Sequence, residues 1–415
     1  MQKAVTYNKS VLKWLIVRLI SPHWRDIAYS KFSCIKYEPA NSPPLPNNQW
    51  VRVLPKLSGI CGSDISTITC KGSPYFSPLI STPFVLGHEV TGVITEVGLE
   101  VPSNLKSGMR VVIEPALSCV VRGITPPCPQ CANGNYANCE NVISGKIKAG
   151  IQTGYCTSTG GGWSNASLVA HHSQIYPIPD NLEETAAVLA EPLACAIHSV
   201  APLISQKPKN ILLIGCGTVG LLCIAAYRLL GGSAPIFAVA KYSHQAELAQ
   251  NLGATKVIKP ADTLDFYKSL LQELYGNENR IYKPEIGKPV VLGGFDVVMD
   301  CIASDDSIDD SVRLASPNGK VILVGMPSIP RGIDWTPIWY KNLSVRGTYA
   351  YGYEELQNGI RKKTIQIAID LLTEHQEKLK ALVSRIYPLD DYKKALYDAF
   401  HPGKTKSIKI ALKVS

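Results

Sequence analysis

The chain has 415 residues, of which 46% are hydrophobic and 18% charged. This length exceeds what one compact core needs and predicts two domains, and the balanced composition excludes a disordered or a fibrous protein. The formal net charge of +9 would suit a nucleic-acid partner, but the basic residues are scattered along the chain, so we expect no nucleic-acid binding.

From the N-terminus to about residue 190 the sequence is typical of an all-β domain. Short β-branched runs, such as Val90–Val97 and Arg110–Ile113, are separated by turn residues. Three prolines in residues 41–48 predict a loop. The apolar run 14–20 is interrupted by Arg18 and precedes no small-residue cleavage site. We therefore expect no secretory signal, no membrane association and a cytoplasmic protein.

Two short motifs in this β-rich half carry chemistry. Residues 59–64 are Gly-Ile-Cys-Gly-Ser-Asp, and residues 87–89 are Gly-His-Glu. The thiolate of Cys61 and the imidazole of His88 are ligands that zinc prefers. A catalytic zinc keeps one position open for substrate or water, so few protein ligands suffice. Singly, each motif is commonplace, but together they predict a catalytic zinc site.

A cysteine cluster follows in the same half. The chain has 12 cysteines, and four of them lie in one short stretch: Cys119, Cys128, Cys131 and Cys139. Structural disulfides are rare in the reducing cytosol, so this clustering favours a metal. The spacing of the last three suits a closed tetrahedral zinc.

After residue 200 strands alternate with helices, which predicts a doubly wound parallel sheet. Strands are expected at 211–214, 236–239, 295–299, 320–324 and 343–346, and helices at 218–230 and 243–252. Residues 263–292 are interpreted as an insertion with one helix and an irregular loop. A further helix near 364–374 and a last strand near 407–412 complete the chain.

The turn between the first of these strands and its helix predicts a dinucleotide site. Residues 215–220 fit G-x-G-x-x-G, with Thr218 and Val219 before the last glycine. Gly215 allows the tight turn, Gly217 lets a pyrophosphate approach the backbone, and Gly220 lets the helix pack on the strand. The helix N-terminus offers free N–H groups to the phosphates.

The end of the second strand bears on cofactor choice. A carboxylate that would bind the ribose of NAD is expected there, but this chain has Ala240 followed by Lys241. Since Lys241 could pair with a 2′-phosphate, we expect NADP to be preferred over NAD. The alternative is that Lys241 is an ordinary surface lysine and the preference is loose.

Taken together, these motifs resemble the zinc-dependent medium-chain dehydrogenase/reductase family, which includes alcohol, sorbitol and threonine dehydrogenases. The shared segments are 59–64, 87–89, 190–195, 215–220, 318–320 and 347–352. The resemblance runs from about residue 50 to the C-terminus, whereas 8–49 and 263–292 fall outside it. It implies an α/β protein in which a GroES-like, partly open β-barrel catalytic domain (1–195 and 348–415) accompanies a Rossmann domain (196–347).

The resemblance also implies roles for the first motif and its partners. Cys61 and His88 match the two firm ligands of a catalytic zinc, and Glu89 matches a third ligand or its close neighbour. Glu191 occupies the place where the polyol-type branch has a glutamate able to reach the metal; alcohol dehydrogenases proper often have cysteine there. Ser63 matches the hydroxyl that relays the substrate proton.

Two further matches concern the surroundings of zinc. Asp64 corresponds to the carboxylate that orients a ligating histidine. The family's structural zinc lobe has the pattern Cys-x2-Cys-x2-Cys-x7-Cys, and this chain has Thr125 at the first position. Cys119 could supply the fourth ligand across an extended loop. The alternative is a degenerate lobe without metal.

The sequence thus predicts a zinc-dependent oxidoreductase that transfers hydride between a nicotinamide cofactor and a small alcohol or carbonyl substrate, with zinc stabilising the alkoxide. The family resemblance implies a homodimer or homotetramer. One alternative is a biosynthetic NADPH-dependent reductase of a larger or activated carbonyl substrate. Another is a non-enzymatic zinc protein that binds nucleic acid, but residues 119–139 hold one basic residue, Arg122, and one aromatic, Tyr136, which argues against it.

Overall fold

The computed structural model describes residues 1–277, 279–355 and 359–414, and the chain divides into two compact units. The first, called the barrel unit below, comprises Met1–Ala194 and Tyr351–Ser415; the second, the Rossmann unit, is Cys195–Ala350. The predicted domain limits, at 195/196 and 347/348, lie beside these boundaries. No helix in the described part of the chain combines the length and the apolar character needed to cross a membrane.

Strands and helices are numbered in chain order over the described residues. The strands are β1 (Lys3–Tyr7), β2 (Ile35–Pro39), β3 (Trp50–Gly59), β4 (Phe84–Val85), β5 (Val90–Val97), β6 (Arg110–Ile113), β7 (Leu168–His171), β8 (Ile175–Pro177), β9 (Ile211–Ile214), β10 (Ile236–Val239), β11 (Lys256–Ile258), β12 (Ile281–Tyr282), β13 (Val290–Val291), β14 (Phe295–Asp300), β15 (Ala315–Leu323), β16 (Ser344–Gly347), β17 (Tyr353–Glu355), β18 (Arg361–Lys363), β19 (Val383–Pro388) and β20 (Lys409–Lys413). The α-helices are α1 (Val11–Ile20), α2 (Gly62–Ile68), α3 (Pro129–Ala132), α4 (Glu184–Ala187), α5 (Ala190–Gln206), α6 (Thr218–Leu229), α7 (Ser243–Leu252), α8 (Thr263–Tyr275), α9 (Asp305–Leu314), α10 (Thr336–Tyr340), α11 (Thr364–Leu379), α12 (Tyr392–Phe400) and α13 (Pro402–Thr405).

A largely antiparallel sheet forms the centre of the barrel unit. Its strand order is β19-β20-β3-β5-β6-β8, and β7 pairs with β3 as well. Val51 and Val53 on β3 point to the same face, because side chains alternate along a strand, and they pack with Ile94, Val111 and Ile113 from β5 and β6. These β-branched residues fill the interior of the partly open barrel. The sheet has the arrangement expected of the predicted barrel domain.

The N-terminal extension belongs to this unit and is well packed. Strands β2, β1 and β4 form a small antiparallel sheet. The apolar run 14–20 lies in α1, and Val17 is fully buried in one cluster with Ile27, Tyr392 and Phe400. Residues 8–49, which lie outside the family resemblance, therefore complete a hydrophobic core with the C-terminal helix α12.

The Rossmann unit contains the predicted parallel sheet, in the order β11-β10-β9-β14-β15-β16. The strand order reverses between β9 and β14, which is where such sheets bind dinucleotides. Strand β15 begins at Ala315, earlier than predicted at 320, because the pairing with β14 jumps from Ala315 to Lys320 across an irregular segment. Asn318 within that segment has a φ of 61°, as a turn residue would.

The segment 263–292 is more regular than predicted. Its helix, α8, begins after Asp262, whose carboxylate accepts hydrogen bonds from the N–H groups of Leu264 and Asp265. The expected irregular loop instead contains a short antiparallel pair, with Ile281 opposite Val291. The loop interpretation was therefore wrong in part; Glu278, which falls within it, lies outside the described residues.

Candidate catalytic and structural zinc centres

Cys61 is placed where β3 ends and α2 begins. It caps α2, and its backbone N–H donates to Asp64 Oδ2 at 2.9 Å. This capping arrangement fixes the start of α2, with Cys61 at the cap position and Ser63 in the first turn of the helix. Gly59 precedes the turn, and a Cβ there would lie 1.8 Å from Glu89 Oε2, so only glycine leaves room for that carboxylate.

His88 and Glu89 lie between β4 and β5. Gly87 before them has a φ of 95°, and a side chain there would strike the ring of Trp163. Trp163 is fully buried and its Nε1 donates to the Gly59 carbonyl at 3.2 Å. One tryptophan thus braces both ligand-bearing segments. Trp163 was not among the predicted site residues.

The folded chain brings the two motifs together. Sγ of Cys61, a ring nitrogen of His88 and a carboxylate oxygen of Glu89 lie within 4.8 Å of one another. Asp64 Oδ1 faces His88 Nδ1 at 3.4 Å, as expected for a carboxylate that orients a ligating imidazole. The Ser63 hydroxyl and Glu89 Oε1 are buried and find no hydrogen-bond partner among the described residues. Thiolate, imidazole and carboxylate fit zinc, and three protein ligands would leave a fourth coordination position open.

Lys409 on β20 is a member of this centre that the sequence analysis missed. Its side chain is buried, its ammonium pairs with Glu89 Oε2, and it donates to the Ile60 carbonyl at 3.1 Å. Burial opposes its charge, but the carboxylate of Glu89 and the Cys61 thiol outweigh burial and raise the pKa of Lys409. A lysine between two isoleucines of an apolar strand was the available signal, since buried lysines are rare unless paired.

Glu191 is placed differently from the other predicted ligands. It lies in the first turn of α5, is buried, and acts on the charge of Lys409. It does not belong to the group formed by Cys61, His88 and Glu89 among the described residues. Its role as a metal ligand therefore stays a prediction.

Tyr155 is a second residue that the sequence analysis missed. Its ring centroid lies 6.0 Å from that of His88, and its hydroxyl lies 3.1 Å from Thr67 Oγ1 on α2. Burial, helped by the charge of Asp64, raises the pKa of Tyr155, so the phenol stays protonated at neutral pH. It is therefore a hydrogen-bonding group beside the ligand set. A tyrosine in a loop gives no sequence signal of this kind.

The cysteine cluster assembles with Cys119 included. All four sulfurs lie within 4.8 Å of one another, and Sγ of Cys119 and Sγ of Cys139 are 3.6 Å apart. Backbone N–H groups of Cys128 and Asn141 point at sulfur, at 3.3 Å to Cys119 and 3.4 Å to Cys139. Such donors stabilise thiolates, and four sulfurs at this spacing fit a closed zinc site.

The thiols of this cluster differ in acidity. Burial opposes ionisation of Cys128, but the N–H groups of Cys131 and Glu140 outweigh it and lower the pKa of Cys128 to about 7. Burial raises the pKa of Cys139 to about 11. Metal binding at neutral pH must therefore release protons from the cluster.

The glycine-rich turn in the Rossmann unit has the geometry that a pyrophosphate requires. Gly215 has a φ of 99°, and a Cβ on Gly220 would lie 1.9 Å from the Gly215 carbonyl oxygen. A Cβ on Gly217, which caps α6 ahead of Thr218 and Val219, would meet nothing within 4 Å. The open space above Gly217 lies at a helix N-terminus, where N–H groups favour phosphate.

Ala240 follows directly after β10 and is buried, and Lys241 next to it is exposed. The ammonium of Lys241 lies 5.7 Å from the centre of the Tyr242 ring, and that ring stacks on His244 at 5.7 Å. The end of β10 thus presents a cation and aromatic rings, and neither of the two residues that follow the strand is acidic.

Comparisons with known proteins agree with this arrangement. Residues 47–180 match the alcohol dehydrogenase GroES-like domain, and residues 218–365 match the zinc-binding dehydrogenase domain. D-xylulose reductase A of Aspergillus oryzae is 26% identical over 364 residues, which cover 88% of this chain and 90% of that protein. L-idonate 5-dehydrogenase of Vitis vinifera is 28% identical over 320 residues, covering 76% of this chain and 77% of that one.

A solved structure shares the fold. The crystal structure of 2R,3R-butanediol dehydrogenase from Bacillus subtilis matches with a TM-score of 0.69 and 23% identity, over 100% of both chains. Because both domain matches are to domains of zinc-dependent dehydrogenases, the chain belongs to the zinc-dependent medium-chain dehydrogenase/reductase family. It is an oxidoreductase that acts on CH–OH groups with a nicotinamide cofactor.

Proposed function

We propose that the chain is a zinc-dependent, polyol-type dehydrogenase that prefers NADP and holds its catalytic zinc through Cys61, His88 and Glu89. The observation that carries this proposal is the juxtaposition of these three ligand atoms within 4.8 Å, with the buried, unpartnered hydroxyl of Ser63 in the same turn. A zinc ion there would supply a Lewis acid that lowers the pKa of a substrate hydroxyl.

The chain's own side chains divide the remaining work. Ser63 Oγ, which is buried in the first turn of α2, would relay the substrate proton, accepting it from the substrate hydroxyl while its own O–H proton passes on to water. Asp64 Oδ1 lies 3.4 Å from His88 Nδ1, where it would orient the ring and leave Nε2 for the metal. Lys409 neutralises one oxygen of Glu89 and leaves Oε1 available as a ligand.

A secondary alcohol of a polyol is the substrate class that we infer. Glu191, in place of the cysteine of many alcohol dehydrogenases, supports the polyol-type assignment, and it lies close enough to Lys409 to act on its charge. The names of the relatives, D-xylulose reductase and L-idonate 5-dehydrogenase, refer to polyhydroxylated compounds. Ser63 and the Tyr155 hydroxyl offer hydrogen bonds that such substrates would use.

Three further proposals accompany the activity. Lys241 and the rings of Tyr242 and His244 support NADP, because a cation at this strand end can pair with a 2′-phosphate. Four cysteines support a second, structural zinc. A homodimer or homotetramer and a cytoplasmic location stay predictions.

Steady-state kinetics with xylitol, sorbitol and L-idonate, each with NADP and with NAD, tests the substrate class and the cofactor together. We expect oxidation of at least one polyol, at a higher kcat/KM with NADP. Activity confined to a bulky or activated carbonyl with NADPH would instead establish the biosynthetic reductase.

Replacing Lys241 by Asp tests the cofactor assignment. We expect the KM for NADP to rise about 10- to 100-fold, because a charged contact to the phosphate is lost and a like charge gained, and the KM for NAD to change little. Lys106→Asp, at an exposed site in the barrel unit, is the charge-matched control and should change neither. Equal effects of Lys241→Asp on both cofactors would rule out this role.

A further inference from the structure

The loop between the first two cysteines of the cluster contains a buried arginine. Arg122 follows Cys119 in residues 120–127, a stretch that separates Cys119 from Cys128. Its side chain has no exposed surface. Nε donates to the Leu117 carbonyl at 3.0 Å, and Nη1 donates to the Ser144 carbonyl at 2.9 Å. The side chain also donates to the carbonyls of Ile147, Lys148 and Gly150. These five carbonyls together form a cage around the guanidinium.

This cage satisfies the donors of Arg122 but not its charge. Among the residues that the structure describes, no aspartate or glutamate forms an ion pair with it. The ionisable groups that act on it are thiols, those of Cys156, Cys139 and Cys119. Two of these belong to the metal cluster. A buried guanidinium without an anion is expensive, because carbonyl dipoles replace water only in part.

Zinc in the cluster would provide the missing anion. Four thiolates around one divalent ion leave a net double negative charge. The N–H groups of Cys128 and Asn141 that point at Cys119 and Cys139 stabilise that charge locally but carry none themselves. Arg122 is thus a buried cation that pairs with no carboxylate among the described residues, and the thiols that act on it would become part of an anionic centre when zinc binds.

We propose that Arg122 is the buried counter-charge of the zinc–tetrathiolate centre. This proposal rests on the proposed structural zinc but not on the proposed reaction. Zinc in the cluster stabilises buried Arg122, and Arg122 slows the loss of zinc. Because four of the five carbonyls that accept from Arg122 belong to residues 144–150, zinc occupancy also stabilises the fold of the segment that follows the last cysteine.

The test compares Arg122→Met, which removes the charge, with Arg122→Lys, which keeps it. Zinc release from the holoenzyme into excess chelator is followed with a colorimetric indicator, and the structural phase is the one absent in Cys128→Ser. We expect release in Arg122→Met to be about 10- to 100-fold faster, since removal of one member of a buried charge pair is strongly destabilising. Arg122→Lys should stay within about threefold of wild type.

A matched control separates charge from packing. Arg228 on α6 also donates to backbone carbonyls, of Gly253 at 3.0 Å and of Gly232 at 2.8 Å, but lies in the Rossmann unit, which does not contain the cysteine cluster. Arg228→Met should lower the Tm equally with and without zinc and leave zinc release unchanged. Arg122→Met should lower the Tm of the zinc-loaded protein more than that of the zinc-free protein, and so shrink the rise in Tm that zinc produces.

Two results would overturn the proposal. One is that Arg122→Met behaves like the Arg228 control, with equal losses of Tm in the zinc-loaded and zinc-free proteins and normal zinc release. The other is elemental analysis that finds no zinc lost in Cys128→Ser. If Arg122→Met does not fold, zinc release from Arg122→Lys as fast as from Arg122→Gln would contradict it as well. Dehydrogenase activity depends on the Cys61 centre and is measured separately. A lack of activity would count against the proposed function and would not change how the zinc-release and Tm results are interpreted.

Discussion

The barrel unit contains two groups of zinc-type ligands that differ in how well their polar atoms are satisfied. Around Cys61, the Ser63 hydroxyl and Glu89 Oε1 are buried without partners among the described residues. Around Cys119, sulfurs receive N–H donors and a buried arginine lies nearby. Four thiolates around one metal would leave no open coordination position, whereas unpartnered buried groups keep an unfavourable energy until a ligand meets them. The unpartnered groups beside Cys61 therefore support the proposal that this centre, and not the cysteine cluster, is the reactive one.

The largest effect should come from removing the thiolate of the reactive centre. Cys61→Ala should lower kcat/KM at least about 1000-fold, because a Lewis acid contributes several kcal/mol to the transition state. The variant should lose about one zinc per chain, bind NADP as wild type does, and keep its Tm within a few degrees. Turnover near the wild-type rate at reduced zinc content would contradict the assignment of the Cys61 centre as the reactive one.

Cys128→Ser should have the opposite profile. We expect the Tm to fall by about 10 °C, the shift for a loss of about 3 to 5 kcal/mol in a unit of this size, because a closed zinc site contributes directly to folding. Initial rates measured well below the new Tm should stay within about threefold of wild type. Cys223→Ser, at a buried cysteine of α6 in the Rossmann unit, is the matched control and should retain both zincs. A Tm unchanged by Cys128→Ser would mean that the cluster carries no structural metal.

The two centres also differ in how far the sequence predicted them. Motif residues such as Cys61, His88 and the four cysteines were recognisable because ligand chemistry restricts residue type and spacing. Lys409 and Tyr155 were not, since they come from β20 and from the loop before β7, and only tertiary folding brings them to Glu89 and His88.

The same limit applies to the fold. Parallel strands such as β9 and β10 were predicted at their observed bounds, because buried apolar runs between turn signals are local. The early start of β15 and the β12–β13 pair were missed, since an irregular register and a short strand depend on the partner strand. Packing of Val17 and Ile27 against Phe400 joins positions too far apart in sequence for any local pattern to indicate it.

The smallest effect should come from the hydroxyl of Tyr155. Tyr155→Phe keeps the ring that packs near His88 and removes only the group that lies 3.1 Å from Thr67 Oγ1. A hydrogen bond of this kind contributes about 0.5 to 1.5 kcal/mol, so kcat should fall about 2- to 10-fold if the bond positions α2, which carries Ser63.

Thr67→Val removes the partner hydroxyl instead and is the matched control for Tyr155→Phe. If the two hydroxyls act only through each other, the double variant should be no slower than the slower single variant. A double variant whose losses multiply would show that the Tyr155 hydroxyl acts independently of Thr67. In that case the Tyr155 hydroxyl would be a third polar group of the reactive centre, besides Ser63 and Glu89. The reactive centre would then differ from the cysteine cluster by three polar side chains.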